Sequence, residues 1–353
     1  MTMNLQKQPL STIILGAGKG TRMKSQKAKV LHTVFFSPMI EHVINAVSPL
    51  NPDKIIVVVG HQQEDVKKTL KSFPLQFAEQ TEQYGTGHAV LATRSLLTEA
   101  EGNVMILCGD TPLVENETLI RMYEKHVSTQ AVITLMTTML DDPTHYGRIL
   151  SDENNRIAGI VEEKDASAKE REIKEINAGI YCVKTDFIFH ALDQVGMDNS
   201  QGEMYLTDIV SIAVNNKKKV ERFLTPHPSE ILGVNSRVEL AQAHKILQKR
   251  RNTELMRQGI TMYSPDSISI SSDSSIGRDC ILSGEIEITD NTIIGKSCTI
   301  GRGVILRNCS IGDQVTIGPY SCLYGMTLPA DTNVAPHTVI DKAGANGSAT
   351  QNQ

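Results

Sequence analysis

Hydrophobic and polar positions follow two different patterns along this chain, and the first covers residues 12 to about 235. Short apolar runs, such as residues 55–59 and 104–108, have the length of single buried strands. Between them, stretches such as residues 40–47 place apolar residues on one helical face. We predict further helices over residues 88–97 and from residue 202 onward. This alternation is typical of a Rossmann-like α/β domain, in which helices cover both faces of a mostly parallel sheet.

The second pattern begins at Ile270, where an apolar residue recurs at every sixth position. The period slips by one residue after Leu306 and again after Leu323, and it continues to Ile340. A glycine follows isoleucine in several repeats, at Gly277, Gly295, Gly301, Gly312 and Gly318. This hexapeptide pattern predicts a short parallel β-helix of about four coils.

These patterns divide the chain into four predicted segments. An α/β domain over residues 1–235 is followed by a linker helix over residues 236–262, in which Val238, Ala241 and Ile246 form an apolar stripe. The β-helix takes up residues 263–341. The polar tail, residues 342–353, is predicted to be disordered because it has little to bury.

A glycine-rich, basic segment follows the first predicted strand. Gly16, Gly18 and Gly20 leave room for a ligand against the backbone. Five cations lie within eleven residues, at Lys19, Arg22, Lys24, Lys27 and Lys29. Backbone N–H groups together with Arg and Lys suit a polyphosphate. The spacing matches neither the dinucleotide fingerprint, because Thr21 replaces its third glycine, nor the Walker A loop. A tight turn with a solvated basic flank is the alternative interpretation.

Asp110 follows another predicted buried strand and a glycine, Gly109. Ligands bind beyond the carboxyl ends of strands in such sheets, so Asp110 should face the glycine-rich segment. There its carboxylate could bind Mg²⁺, which takes one or two protein carboxylates and completes its shell with phosphate and water. The alternative is a turn-forming or helix-capping aspartate.

Composition narrows the class of protein. A net charge of −5 argues against a general nucleic-acid binder, so the basic segment favours a small anionic ligand. The six cysteines form no C-x-x-C pair and have no histidine cluster beside them, which argues against zinc. No apolar run has the length of a membrane span or a signal sequence, so we expect a soluble, cytoplasmic protein with no membrane partner.

The motifs together resemble one family. The chain is similar to the uridyltransferase half of the bacterial bifunctional N-acetylglucosamine-1-phosphate uridyltransferase/glucosamine-1-phosphate acetyltransferases. The matching segments run in the family's order, at residues 15–23, 29–32, 80–89, 109–113, 146–149, 160–165, 175–181, 202–209 and 233–237. The resemblance implies a nucleotidyltransferase domain followed by a left-handed β-helix. It also implies uridylyl transfer from UTP to N-acetylglucosamine-1-phosphate with Mg²⁺, a step of cell-wall precursor synthesis.

The resemblance assigns roles to individual residues. It implies nucleotide binding by Leu15, Ala17, Gly18, Lys29, Gln80, Gly85 and Thr86. It implies sugar binding by Gly109, Gly147, Glu162, Asn177 and Asn235. Asp110 and Asn235 would bind Mg²⁺, and Arg22 and Lys29 would be the catalytic residues that hold the triphosphate.

Three positions depart from the family pattern. Gly16 replaces an alanine, Ala28 replaces a proline, and Cys108 replaces an aromatic residue beside the sugar site. Cys108 keeps open a different acceptor, such as glucose-1-phosphate or glucosamine-1-phosphate. A catalytically inactive sugar-nucleotide-binding subunit is a further alternative. Such a subunit would not need Arg22, Lys29, Asp110 and Asn235 together, so the presence of all four argues against this alternative.

The resemblance also bears on assembly and on a second activity. Family β-helices pack about a threefold axis, so we expect a homotrimer through residues 263–341. The family's acetyltransferase site uses a histidine and several basic residues on later coils. Here His337 has no basic cluster beside it, and Lys342 is the only Lys or Arg after Arg307. We therefore expect no acetyltransferase activity.

Overall fold

A computed structural model describes residues 8–18, 20–97 and 102–342, which form two compact units that divide between Leu240 and Ala241. The predicted tail lies outside the described residues from residue 343 onward. The finer boundaries at residues 235 and 262 stay predictions. In the part of the chain that the structure describes, no helix is both long enough and apolar enough to cross a membrane.

The first unit is built on a nine-stranded sheet and a separate two-stranded ribbon. Its strands are β1 Leu10–Leu15, β2 Thr33–Val34, β3 Ser37–Pro38, β4 Lys54–Val59, β5 Gln76–Glu79, β6 Asn103–Cys108, β7 Ile133–Met139, β8 Arg148–Ser151, β9 Ile157–Val161, β10 Glu175–Lys184 and β11 Val220–Leu224. Its helices are α1 Met39–Val47, α2 Gln63–Thr69, α3 Thr86–Leu91, α4 Asn116–Thr129, α5 Ala168–Arg171, α6 Thr185–Leu192 and α7 Asp208–Asn215.

The main path of the sheet runs β11-β7-β10-β6-β1-β4-β5, and the β8–β9 hairpin pairs with β10. β1 lies between β4 and β6 and is parallel to both. β10 alone on this path is antiparallel to its neighbours, β6 and β7. The carboxyl ends of β1, β4, β5 and β6 therefore meet at one edge.

Successive residues of the central strands pack into two different cores. Side chains alternate across a strand, so one core takes Ile14, Val57 and Leu107 while the other takes Ile13, Val58 and Ile106. Strands buried on both faces need apolar residues at every position, which explains the unbroken runs in the sequence. The predicted α/β sheet with two covered faces is confirmed.

Two predicted helices have different bounds in the structure. The helix expected over residues 88–97 is α3, followed by a separate 3-10 turn at Arg94–Leu96. The helix expected from residue 202 begins only at Asp208. The reason is that Met204 bonds to another loop: its N–H donates to Tyr84 O at 2.7 Å, and its carbonyl accepts from Gly87 N–H at 2.8 Å.

Helix α8, Arg237–Arg257, begins in the first unit and continues into the second. The predicted apolar stripe is wrong, because Val238 and Ala241 are exposed. The buried face instead carries the amides of Gln248 and Asn252, both of which donate to Ile268 O at 2.8 Å. These amides bond to backbone carbonyl groups at the start of the β-helix, so polar side chains share the buried face with Ala243 and Leu255.

The second unit is a left-handed β-helix made of three parallel sheets. The first sheet contains β12 Thr261–Met262, β15 Ile281–Leu282, β18 Thr299–Ile300, β21 Thr316–Ile317 and β24 Asn333–Val334. The second contains β13 Ser269–Ile270, β16 Glu287–Thr289, β19 Ile305–Arg307, β22 Cys322–Tyr324 and β25 Val339–Asp341. The third contains β14 Ser275–Ile276, β17 Ile293–Ile294, β20 Ser310–Ile311 and β23 Thr327–Leu328. The hexapeptide prediction is confirmed.

The slips in the six-residue period lie at one corner of the β-helix. Between β16 and β17 the chain turns through two left-handed residues, Asp290 (φ 59°) and Asn291 (φ 57°). At the same corner one coil later Asn308 alone has a positive φ, of 52°, and in the coil after that Gly325 alone does, with φ 64°. The corner is one residue shorter, yet the inward residues Ile288, Leu306 and Leu323 stay paired in register.

Candidate functional site

A cleft lies at the edge where the carboxyl ends of β1, β5 and β6 meet, with a cavity of about 280 Å³. Eight of the predicted site residues line it, namely Leu15, Ala17, Gly18, Lys29, Gln80, Gly85, Thr86 and Asp110. Gln83 and Glu203, which the sequence did not single out, line it too. The rule that ligands bind beyond strand ends in open sheets agrees with this place.

The glycine-rich segment fits closely against its surroundings. Gly16 N–H donates to Val58 O at 2.9 Å, and a Cβ on Gly16 would lie 3.1 Å from that oxygen. Gly20 has φ 62°, and a Cβ there would lie 2.5 Å from Lys29 Cβ. Gly18 has open space where its Cβ would be. The segment thus leaves one side free for a ligand and brings the Lys29 side chain in from the other; Lys19 lies outside the described residues.

Lys29 connects two oxygen ligands at the edge of the cleft. Its Nζ contacts Asp110 Oδ2 and donates to Asn235 Oδ1 at 2.7 Å. Val234 N–H donates to Asp110 O at 2.8 Å, which ties the segment before α8 to the end of β6. A carboxylate and an amide oxygen therefore converge on one positive charge.

Asp110 and Asn235 fit a magnesium site. Mg²⁺ binds through one or two carboxylates plus substrate phosphates and water, and it requires oxygen ligands. The Lys29 ammonium shows that the two oxygens are aimed at a single cationic centre.

The amide side chains of the loop after β5 hold the other wall of the cleft. Gln80 is buried, and its Nε2 donates to Gly85 O at 3.0 Å. Gln83 Nε2 donates to Ala17 O at 2.8 Å and so ties this wall to the glycine-rich segment. Thr86 Oγ1 accepts from Leu206 N–H at 3.0 Å. A signal for Gln83 was present, since it is a second amide in the same polar stretch as Gln80.

Position 85 can hold only a glycine without strain. Its φ is 102°, and a Cβ would lie 2.6 Å from Met204 O. The close approach of residues 203–204 to this loop explains why the segment before α7 is not helical.

The predicted sugar-binding residues form a second group beside the cleft. Asn177 N–H donates to Gly147 O at 2.9 Å, and Glu162 Oε2 lies 3.5 Å from the position of a Cβ on Gly147. Glu162 Oε1 accepts from Thr207 Oγ1 at 3.1 Å. The structure thus brings Gly147, Glu162 and Asn177 together, outside the lining of the first cavity.

Burial acts on titratable groups in and beside the cleft. Burial raises the pKa of Glu162, and the nearby carboxylates of Asp208 and Asp165 add to this. Burial, with the Asp110 charge as a smaller cause, raises the pKa of Cys108 to about 12. This direction favours the neutral thiol at physiological pH. Cys108 lines the cavity, and its Sγ lies 3.5 Å from the position of a Cβ on Gly179, two residues after Asn177.

Gly109 and Arg22 complete the predicted set. Gly109 N–H donates to Leu15 O at 2.9 Å, and a Cβ would lie 3.2 Å from that oxygen, so β6 ends tightly against β1. Arg22 is exposed on the 3-10 turn Thr21–Met23 and is not among the lining residues. Burial raises the pKa of Tyr146, and the Arg22 charge opposes this rise as a minor cause.

A larger groove, of about 930 Å³, lies along β11 and is rich in lysine and arginine. Some of its charges are paired: Lys219 contacts Glu221 at 3.2 Å, and Arg156 contacts Asp152 at 2.8 Å. Internal pairing of this kind is typical of a solvated surface. The smaller cleft at the strand ends is therefore the better candidate site.

Comparison with known proteins gives matches over most of the chain. A family model described as nucleotidyl transferase matches residues 11–227. The bifunctional protein GlmU of Desulfotalea psychrophila is 49% identical over 329 residues, which cover 93% of this chain and 97% of that protein. The GlmU proteins of Halalkalibacterium halodurans and Lactobacillus johnsonii are 40% and 43% identical, and the chain spans 71% and 70% of their lengths.

A solved structure shows a similar fold. It is a Bacillus anthracis protein crystallised with sucrose and described as a glucose-1-phosphate thymidylyltransferase. The TM-score is 0.55 at 20% identity, and the match covers 67% of this chain and 94% of that one.

Proposed function

The chain belongs to the nucleotidyl transferase family and, within it, to the GlmU proteins, and from this we propose that it transfers a uridylyl group from UTP to N-acetylglucosamine-1-phosphate. The products are UDP-N-acetylglucosamine and pyrophosphate. The observation that carries this proposal is the convergence of Lys29, Asp110 and Asn235 beside the glycine-rich segment.

The reaction needs positioning and charge neutralisation more than acid–base chemistry. An oxygen of the sugar phosphate attacks the α-phosphorus, and the bond from that phosphorus to the β-phosphate oxygen breaks. Pyrophosphate leaves with the bonding electrons. The attacking phosphate is already an anion at neutral pH, so no general base is required. The backbone of residues 16–18 would cradle the phosphates, and Lys29 and Arg22 would neutralise their charge.

Asp110 and Asn235 would hold Mg²⁺, which when bound supplies positive charge to the triphosphate. Lys29, which contacts both residues, would then donate to a phosphate oxygen. Gln80 and Gln83 would hold in place the wall of the cleft that binds the uracil base. Glu162 and Asn177 would hold the sugar.

The acceptor is tested with UTP, Mg²⁺ and a panel of sugar-1-phosphates, by following pyrophosphate release. We expect N-acetylglucosamine-1-phosphate to give the highest kcat/KM. A clear preference for glucose-1-phosphate or glucosamine-1-phosphate would favour the alternative acceptor that Cys108 leaves open. Absence of turnover with every sugar, together with tight nucleotide binding, would favour a regulatory subunit.

We expect the protein to form a homotrimer through the β-helix. Four large hydrophobic side chains are strongly exposed there, at Tyr263, Ile293, Tyr320 and Val339. They lie on different faces of the β-helix, and association through some of these faces would bury part of this exposed apolar surface. Sedimentation equilibrium should give a mass of about three chains at micromolar concentration, as the expected threefold axis implies. A monomer under these conditions, with the β-sheet signal of the β-helix intact, would contradict the trimer.

We also expect no acetyl transfer to glucosamine-1-phosphate by the described coils. Two of their arginines are already paired, Arg302 Nε with Glu285 at 2.9 Å and Arg307 Nη2 with Glu287 at 2.7 Å. The ring of His337 stacks on Tyr320 with centroids 5.5 Å apart. Neither arrangement offers a base next to a phosphate-binding cluster.

The measurement is free CoA thiol, titrated after incubation with acetyl-CoA and glucosamine-1-phosphate. We expect a signal equal to that of the enzyme-free control. Release of thiol that depends on the enzyme and on the sugar would show that these coils do hold a second site.

A further inference from the structure

The first turn of helix α8 reaches back to the residue that precedes it. Glu239 Oε2 accepts a hydrogen bond from Asn235 N–H at 2.7 Å. Glu239 N–H in turn approaches Ser236 Oγ at 3.3 Å. A carboxylate acceptor makes the bond to Asn235 a charge-assisted one, shorter and stronger than a neutral bond. The backbone of Asn235 is therefore fixed by a charged side chain of the helix.

The amide of Asn235 is oriented as well. Its Nδ2 donates to Gly233 O at 3.2 Å, which turns Oδ1 toward Lys29 Nζ at 2.7 Å. With the backbone held by Glu239 and the amide nitrogen held by Gly233, one oxygen is left to face the cleft.

Arg237, the first residue of α8, makes a second connection across the site. Its Nη1 lies 3.2 Å from Nδ1 of His32. A guanidinium can only donate, so Nδ1 accepts and the neutral ring carries its proton on Nε2. His32 is buried. Its backbone N–H donates to Lys29 O at 3.2 Å, which closes the turn that carries Lys29.

We propose that Glu239 and Arg237 are positioning residues for the reaction: Glu239 aims the Asn235 oxygen, and Arg237 joins the Asn235 segment to the turn of Lys29 through His32. This inference rests on the proposed function of the cleft. The competing interpretation is that both side chains only stabilise the start of a helix. An ordinary capping box returns its glutamate to the N-cap residue itself. Here the bond goes to Asn235, one residue earlier, and Arg237 bonds to a residue far away in the chain.

The test uses the full chain and four variants. Glu239→Ala and Arg237→Met remove the two contacts, whereas Glu239→Gln and Arg237→Lys keep an acceptor and a donor. Glu254→Ala, on the same helix, is the matched control. For each we measure kcat, KM for UTP, the Mg²⁺ concentration that gives half-maximal rate, and the melting temperature.

We expect Glu239→Ala and Arg237→Met to lower kcat about 10-fold and to raise the half-maximal Mg²⁺ concentration about 10-fold, as the loss of outer partners does at metal sites. The conservative variants should recover most of both values, and Glu254→Ala should match the unaltered protein. A role in helix stability alone would lower the melting temperature and leave the Mg²⁺ dependence unchanged, and that result would overturn the proposal.

Calorimetric titration of the protein with UTP, in the presence of Mg²⁺, separates this inference from the proposed function. If the unaltered protein neither turns over nor binds, the proposed function fails. A different result separates the two claims. If the unaltered protein binds and turns over, while Glu239→Ala and Arg237→Met also bind UTP with unchanged affinity and keep full turnover, the proposed function stands and the positioning role is wrong.

Discussion

Asp110→Ala is expected to abolish pyrophosphate release, a fall of about 10³-fold or more, while the fold stays intact. Asp110 follows β6 and directs its carboxylate at the Lys29 ammonium. Its removal takes away the carboxylate of the proposed Mg²⁺ site and leaves Lys29 without its acidic partner. The measurement is a coupled pyrophosphate assay at saturating UTP and sugar phosphate, with circular dichroism as the check on folding.

Asp110→Asn separates the two interpretations of this residue. Asparagine forms turns as readily as aspartate, but it lacks the charge. We expect the variant to fold normally and to be nearly as inactive as Asp110→Ala. Asp186→Ala, an exposed aspartate in the first turn of α6, serves as the control and should keep full activity. Turnover near that of the unaltered protein in Asp110→Ala would rule out the metal-binding role.

Lys29→Ala should lower kcat about 10²-fold or more, and Arg22→Ala should do the same, by analogy with other lost charge-stabilising donors. Lys29 holds its place through Gly20, Asp110 and Asn235, so its ammonium is fixed in advance of substrate binding. A preorganised charge stabilises the transition state without the cost of reorganisation.

The split between kcat and KM decides what these two cations do. A rise in KM at unchanged kcat would mean that they bind the ground state and the transition state equally. Lys27→Ala is the matched control: this lysine belongs to the same basic segment and is exposed. We expect its rate to stay within about twofold of the unaltered protein, because screened surface charges contribute little.

The location of the site and several of its residues could be predicted from the sequence, because the strand ends determine where these residues lie. Parallel strands deliver Leu15, Gly109 and Asp110 to one edge whatever the details of packing. The apolar runs are enough to identify those strands, since a strand buried on both faces has no polar positions to interrupt it. The hexapeptide period identifies the β-helix in the same way.

Hydrogen bonds to backbone groups of other segments leave no periodic signal, so the sequence did not predict them. The bonds of Met204 to Tyr84 and Gly87 replace the helix expected there. The buried amides of Gln248 and Asn252 on α8 bond to carbonyl groups that only the folded β-helix presents. The place of Arg22 in catalysis stays a prediction.

The shortened corner of the β-helix has a consequence for how such chains change over evolutionary time. One coil has Asp290 and Asn291 at this corner, and the next coil has Asn308 alone. The inward side chains on either side of the corner stay paired with those of the neighbouring coil. A gap in an alignment of related chains belongs at these corners and never inside the strands. For a protein engineer, we expect a residue inserted beside Asn308 or Gly325 to leave the stacking intact, since the preceding coil holds Asp290 and Asn291 at the same corner.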